Sequence, residues 1–254
     1  METWNMTREQ ASDLLRSIRG DLQKTPLSIL QDAWHHTLEK QKNTVMSLDA
    51  INPITVPSIV NKIMKMNSSQ EGLSLNDIVA LGNLIEFNEY AITSVQNWVK
   101  RDIRDILGTP KCGKKYSIDQ AAVLLIVEDL KATLDFESIR KLLKVLFNNP
   151  NDDQDDLISP IDFYHFYATL IEEMKVQAHN VKVKSMKKRL EQSAIPYLTK
   201  MIKNKADERA RSLEHLHTSE QDQISNALVV AVVSVQAAYY QSIAKRALNA
   251  AVYL

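Results

Sequence analysis

Hydrophobic positions recur at steps of three and four over most of the chain, and the two-residue alternation of a strand is nearly absent. Between Thr7 and about Gln41, Leu14, Leu15 and Ile18 form one stripe, and Leu27, Leu30, Trp34 and Leu38 a second. Pro26 suits a first helical turn, so the stretch predicts two amphipathic helices. Met46 to Pro57, with Pro53 and Pro57, breaks the pattern and reads as a connector. Val56 to Met66 then predicts a short helix with an inward face of Ile59, Val60, Ile63 and Met64.

Three helix-start signals follow. Ser74 with Asp77, Thr93 with Gln96, and Ser117 with Gln120 each stand three residues apart ahead of an apolar run. Such pairs can satisfy the free amides of a first turn reciprocally. They predict helices near 75–86, 94–107 and 118–131, and a fourth runs from Asp135 through Leu142, Leu143 and Leu146. Gly108 can end the second of these and Pro110 stops any continuation. The intervening TPKCGKKYS, with Gly113 at a turn flanked by lysines, predicts a short β-ribbon.

Asn148 to Pro160 (NNPNDDQDDLISP) is polar and acidic and reads as a linker. Phe163, Phe166, Tyr167, Leu170, Ile171 and Met174 open a long helix with Ser193 as its outer bound, and Met201 to the end predicts one or two more. No repeat of 20 to 50 residues is visible. The expected organisation is an N-terminal helical segment (1–50), a central module (51–148), the acidic linker (149–160) and a C-terminal helical domain (161–254) for dimerisation or for reception of an effector or protein partner.

Composition narrows the function classes. The 254 residues carry 31 Lys+Arg against 31 Asp+Glu, so any nucleic-acid role must come from a local basic patch. Five glycines and no GxGxxG or GxxxxGK[ST] string disfavour a Rossmann or P-loop site. One cysteine excludes an internal disulfide framework and suits a reducing cytosol. The first residues lack a signal peptide's apolar run, so the expected location is cytoplasmic. The longest apolar run, Ala227 to Tyr240, is shorter than a membrane-crossing helix requires and reads as a buried helix or subunit contact.

The strongest candidate for function is TSVQNWVKRDIRDILGTPKCGKKY, Thr93 to Tyr116. Six cations, Lys100, Arg101, Arg104, Lys111, Lys114 and Lys115, stand there against Asp102 and Asp105, a net +4 in a neutral chain. With Val95, Trp98, Val99, Ile103 and Ile106 turned inward, Ser94, Gln96, Asn97, Lys100, Arg101 and Arg104 face outward. Amides pair bidentately with adenine edges and guanidinium with guanine or phosphate, so Gln96, Asn97, Lys100 and Arg101 are the leading base-edge candidates.

The order helix (LSLNDIVALGNLI), turn, helix (TSVQNWVKRDI), basic glycine turn (PKCGKKYS), helix resembles the winged helix-turn-helix of MerR-like and excisionase-like regulators. That resemblance implies a basic wing, here Lys114, Lys115 and Tyr116 ahead of Ser117, that also touches the DNA backbone. The NWVKR and PK-x-GKKYS strings are similar, more closely, to a bacterial family defined by a domain of unknown function, over about Ile54 to Phe147. The chain departs from MerR proteins where Gln96-Asn97-Trp98 replaces an Arg-aromatic-aromatic string, and about 50 residues precede the module, so MerR contacts do not carry over individually.

Other constellations read as structural. Lys175 to Arg189 holds six cations and no acid, the solvated face of a long helix or a second basic contact. Asp152, Asp153, Asp155 and Asp156 lack the Gly and Glu spacing of a calcium loop. His215 and His217 are two apart, which separates them on a helix, and no HExxH is present, so no metal is expected. Cys112 reads as a turn residue ahead of a redox switch. No nucleophile, base and orienter set stands out, so neither catalysis nor a cofactor is expected. Ile224, Leu228, Val232, Val235, Tyr239 and Ile243 make the last helix apolar nearly all round, which calls for covering by its own domain or a second subunit.

The sequence thus predicts a mainly helical protein with a small β-wing: a transcriptional regulator that binds double-stranded DNA as a homodimer through its C-terminal helices. The alternative is a helical protein-interaction adaptor that uses the winged-helix scaffold without DNA binding.

Overall fold

The computed structural model describes residues 4–44, 56–66, 72–152, 154–184 and 194–252, and over these the protein is all-α. Its contacts divide the chain into two compact units, Met1–Glu128 and Asp129–Leu254.

The first unit opens with α1 (Arg8–Arg19) and α2 (Pro26–Thr44). Thr7 caps α1 by accepting from the Gln10 amide at 3.2 Å while the Gln10 side chain accepts from the Thr7 amide at 2.9 Å. Leu14, Leu15 and Ile18 are buried as their spacing predicts. On α2 the inward face is Ile29, Leu30, Ala33 and Thr37. Leu27, expected on that face, is 48% exposed because it lies in the first turn.

Next come α3 (Ser58–Ile63) and α4 (Leu75–Gly82). Ile59, Val60 and Ile63 are buried, whereas Met64 falls just past the end of α3 and is exposed. The expected 75–86 helix stops at Asn83, whose side chain is engaged by the following turn.

Residues 94–107 do not form the single helix that was expected. They are α5 (Ile92–Asn97), a π-helical turn (Trp98–Asp102) and, after a break at Ile103, α6 (Arg104–Leu107). The Thr93/Gln96 cap is also absent: α5 starts from Ala91 with no side-chain cap, and both Thr93 and Gln96 are exposed. The unit ends in α7 (Ile118–Leu130), buried throughout Ala121 to Val127, and the division between units falls within this helix. The Ser117/Gln120 start is present, with Gln120 N donating to Ser117 Oγ at 3.2 Å.

No strand is formed among the described residues. In the basic loop only Cys112 pairs with Lys115, and beyond it Tyr116 pairs with Leu73. A single residue pair across a tight turn is too short a ladder for the expected ribbon.

The second unit holds α8 (Phe136–Leu146), α9 (Pro160–Lys184), α10 (Ala194–Arg211) and α11 (Thr218–Val252). Asp135 caps α8 by accepting from Ser138 N at 2.7 Å. The acidic stretch before α9 folds back on α8, since Leu157 N donates to Leu146 O at 3.0 Å and Ile158 is buried. The expected continuation of α9 to Ser193, like the end of the Lys175–Arg189 run, lies outside the described residues.

The core is aromatic at one end, where the Phe147, Phe163, Tyr167 and Tyr164 rings meet edge to face with centroids 5.2–6.1 Å apart. Tyr167 Oη donates to the buried Asp129 carboxylate at 2.8 Å. Toward α10 the core narrows to Ala206, Ala210, Ala227 and Ala231, small residues that let helices approach closely. Burial pushes the Glu173 carboxyl upward, but bonds from Lys205 and Arg209 outweigh it and hold the group below its ordinary range. By length and composition α11 is long and apolar enough to cross a membrane, with 33% of its apolar window buried. Ile224, Leu228, Val232 and Val235 are inside, while Tyr239 and Ile243 further along are exposed.

Asp77 supports a pH test of this scaffold. Burial pushes its carboxyl upward, but Lys62, the Ser74 hydroxyl and the Ser74 amide all donate to it and hold it below the ordinary aspartate range. A depressed native value means the stabilisation is complete above the unfolded value of about 3.9 and is lost as pH falls through the native one. Urea unfolding of Asp77→Asn is expected to show a deficit at pH 7 that closes below about pH 4; a deficit unchanged down to pH 2 would contradict this origin.

Candidate nucleic-acid interface

Local spacing explains the kink in the basic helix. Val95, Trp98, Ile103, Ile106 and Leu107 are all buried. In an α-helix the five steps from Trp98 to Ile103 rotate about 500°, leaving the two side chains about 140° apart. The π turn widens the helix so that both reach the core, with Ile103 N donating to Trp98 O at 3.0 Å. Ile103 then leaves helical geometry at φ −130° and α6 restarts the chain.

Burying these side chains leaves an outer face. Gln96 and Asn97 at the end of α5, Lys100 and Arg101 in the π turn, and Arg104 at the start of α6 are all exposed. Ser94, expected outward, is half-buried one residue before Val95, and Val99, expected inward, is also half-buried.

The basic loop continues from α6. Lys111 and Lys114 are exposed, and Lys115 and Tyr116 are half-buried. Gly113 takes φ +66°, with open space where a side chain would stand. Burial raises the Tyr116 phenol above its ordinary range, and a phenol is a neutral hydroxyl at physiological pH even without that shift. The backbone of Tyr116 exchanges bonds of 2.9 and 2.8 Å with Leu73, just before α4. At neighbouring Gly72 an added Cβ would stand 2.4 Å from Tyr116 O and 2.8 Å from Cys112 Cβ, so only glycine allows this approach.

One buried side chain ties the loop to α7. Gln120 donates from Nε2 to Leu107 O at 2.8 Å and Thr109 O at 2.7 Å, and its Oε1 accepts from Lys111 N and Ser117 N, both at 3.0 Å. Two carbonyls on one side and two amides on the other fix the orientation of the carboxamide. The sequence marks Gln120 as half of a helix cap but gives no sign of its other three bonds, which run 9 to 13 residues back.

The ten expected site residues therefore fall into two groups, six on the 94–104 segment and four on a loop anchored at the starts of α4 and α7. Among the described residues no group of three His, Cys, Asp or Glu is placed to hold a metal ion.

Comparison with known proteins bears on this region. Residues 56–167 match the family described as Domain of unknown function (DUF1836), a stretch that contains the whole outer face and basic loop. The Bacillus subtilis (strain 168) protein called Uncharacterized protein YkrK is 35% identical over 247 residues, covering 97% of each chain. No solved structure matches.

Replacing Gln120 by Leu would leave two amides and two carbonyls without their partner. The expected cost is about 2–3 kcal/mol in urea unfolding, with faster hydrogen exchange at the Lys111 and Ser117 amides. Unchanged exchange at those two amides would show that the loop is held by other means.

Proposed function

We propose that the chain, which carries a DUF1836 domain over residues 56–167 and is homologous to YkrK, is a DNA-binding transcriptional regulator that occupies promoter DNA without catalysing a reaction. In this reading α4, the turn and α5 with its π turn form a helix-turn-helix, the 110–116 loop serves as the wing, and the protein acts in the cytoplasm. The observation that carries it is the outer face of the 94–104 segment: two amides, Gln96 and Asn97, followed by Lys100, Arg101 and Arg104, all exposed above a buried Val95, Trp98 and Ile103. Amides read base edges in the major groove, while cations neutralise phosphate and release counterions. Lys111, Lys114 and Lys115, with the neutral Tyr116 hydroxyl, supply the flanking backbone contacts.

The outer half of α11 supports a homodimer. Tyr239, Tyr240, Ile243, Leu248 and Val252 are between 41% and 65% exposed, an apolar surface that a second copy of the same helix would cover. Pairing would double the DNA site and set its half-site spacing. Light scattering is expected to give twice 28.9 kDa for the wild type and the single-chain mass for Tyr240→Lys, Leu248→Lys; a wild-type monomer at 28.9 kDa would remove this part of the proposal.

The DNA reading is tested with a fluorescent duplex from the chain's own upstream region over a salt series. Wild type should bind with steep salt dependence. The folded Asn97→Ala, Lys100→Ala, Arg101→Ala variant should lose at least about tenfold in affinity, its log–log salt slope reduced by about 2 for the two cations removed. A folded wild type that binds no duplex at low salt would favour the adaptor reading.

A further inference from the structure

We infer that Arg8 of α1, which lies outside the family-matched stretch, is a positioning residue for the kinked 94–104 segment: its guanidinium holds the turn that leads into α5. This rests on the DNA-binding reading and extends it to the N-terminal segment.

The turn between α4 and α5, residues 83–91, contains Phe87 at φ +68°, a left-handed conformation that L side chains disfavour and that persists only when the surroundings hold it. Arg8 grips the chain on both sides of that residue. Nη1 donates to Glu86 O at 3.0 Å and Nη2 to Asn88 Oδ1 at 2.7 Å, and the arginine is 4% exposed. The adjoining backbone adds a second hold: Met6 N donates to Leu84 O at 2.7 Å and Glu86 N to Met6 O at 3.0 Å. Residues 6 to 8 thus engage positions 84, 86 and 88 in register.

The turn passes this constraint on to the helix. Asn83 closes it by accepting from Tyr90 N at 2.7 Å and donating to Tyr90 O at 3.1 Å. The Tyr90 ring lies against Gly82, where an added Cβ would come within 2.4 Å of it, and 6.4 Å from the Trp98 ring. Trp98 begins the π turn, directly after Asn97 and two residues before Lys100. A path of packed and bonded groups therefore runs from Arg8 through the left-handed turn to the core side of the outer face.

The rigid fork of arginine can hold two acceptors at fixed separation, which a lysine ammonium on a flexible stem does not reproduce. Bidentate base contacts fail with small displacements of the helix, whereas lysine and arginine contacts to phosphate adapt. Disturbing Arg8 should therefore weaken discrimination between sequences more than overall attraction to DNA.

The test uses the full chain as wild type, Arg8→Lys and Asn88→Ala, with folding checked by circular dichroism. Each is titrated against a duplex enriched by the wild type from a random-sequence pool and against a scrambled duplex of equal composition, over a salt series, with amide exchange followed at Leu84 to Tyr90. Both variants are expected to lose about tenfold or more of the preference for the selected duplex, keep the wild-type salt slope, and exchange faster in the turn. Variants that discriminate as the wild type does would overturn the role of Arg8 while leaving DNA binding intact. A wild type that enriches no duplex would overturn the DNA reading and the positioning role with it.

Discussion

A buried carboxamide carries two donors and two acceptor positions, and leaving any of them unsatisfied is costly. Gln120 satisfies all four within one stretch of backbone: Leu107, Thr109, Lys111 and Ser117 converge on its two polar atoms. The kinked helix, the basic loop and α7 are therefore joined by one residue. The mutual repulsion of Lys111, Lys114 and Lys115 would otherwise favour an open loop. Pairing of Tyr116 with Leu73, which requires glycine at 72, brings the same loop back to the start of α4. The positive charge of the segment is thus carried on a shaped surface.

The π turn shows the same balance between core and surface. A regular helix through Trp98 and Ile103 would expose one of these large apolar groups. Widening a single turn sacrifices regular bonding, keeps both inside, and sets the outward registration of Lys100, Arg101 and Arg104. The chemistry displayed on the outside follows from what had to be hidden.

The second unit is built on different terms. Aromatic edge-to-face packing at Phe163, Tyr164 and Tyr167 gives way to alanine-lined contacts between α10 and α11, held at the side by the Lys203, Asp207 and Ser225 bonds. Alanine allows close approach of backbones but buries little area. The inner half of α11 is covered in this way, while Tyr239, Tyr240, Ile243, Leu248 and Val252 in its outer half remain exposed, and this contrast supports the proposed second copy.

The sequence by itself determined what depends on neighbours three or four residues apart. The helical class, the Ser74, Ser117 and Asp135 starts, the stop at Gly108, the turn at Gly113 and most of the outward set from Gln96 to Arg104 were legible because caps and amphipathic faces are local. Tertiary structure decided what depends on distant partners. Thr93 and Gln96 have the spacing of a cap and do not form one, because α5 starts earlier, directly after a turn that Asn83 has already closed on Tyr90. The shift from α to π at Trp98 answers to the core rather than to any local preference. Arg8 meets its acceptors 78 and 80 residues away. No periodicity connects residues so far apart, since only the folded chain brings them within reach of a hydrogen bond.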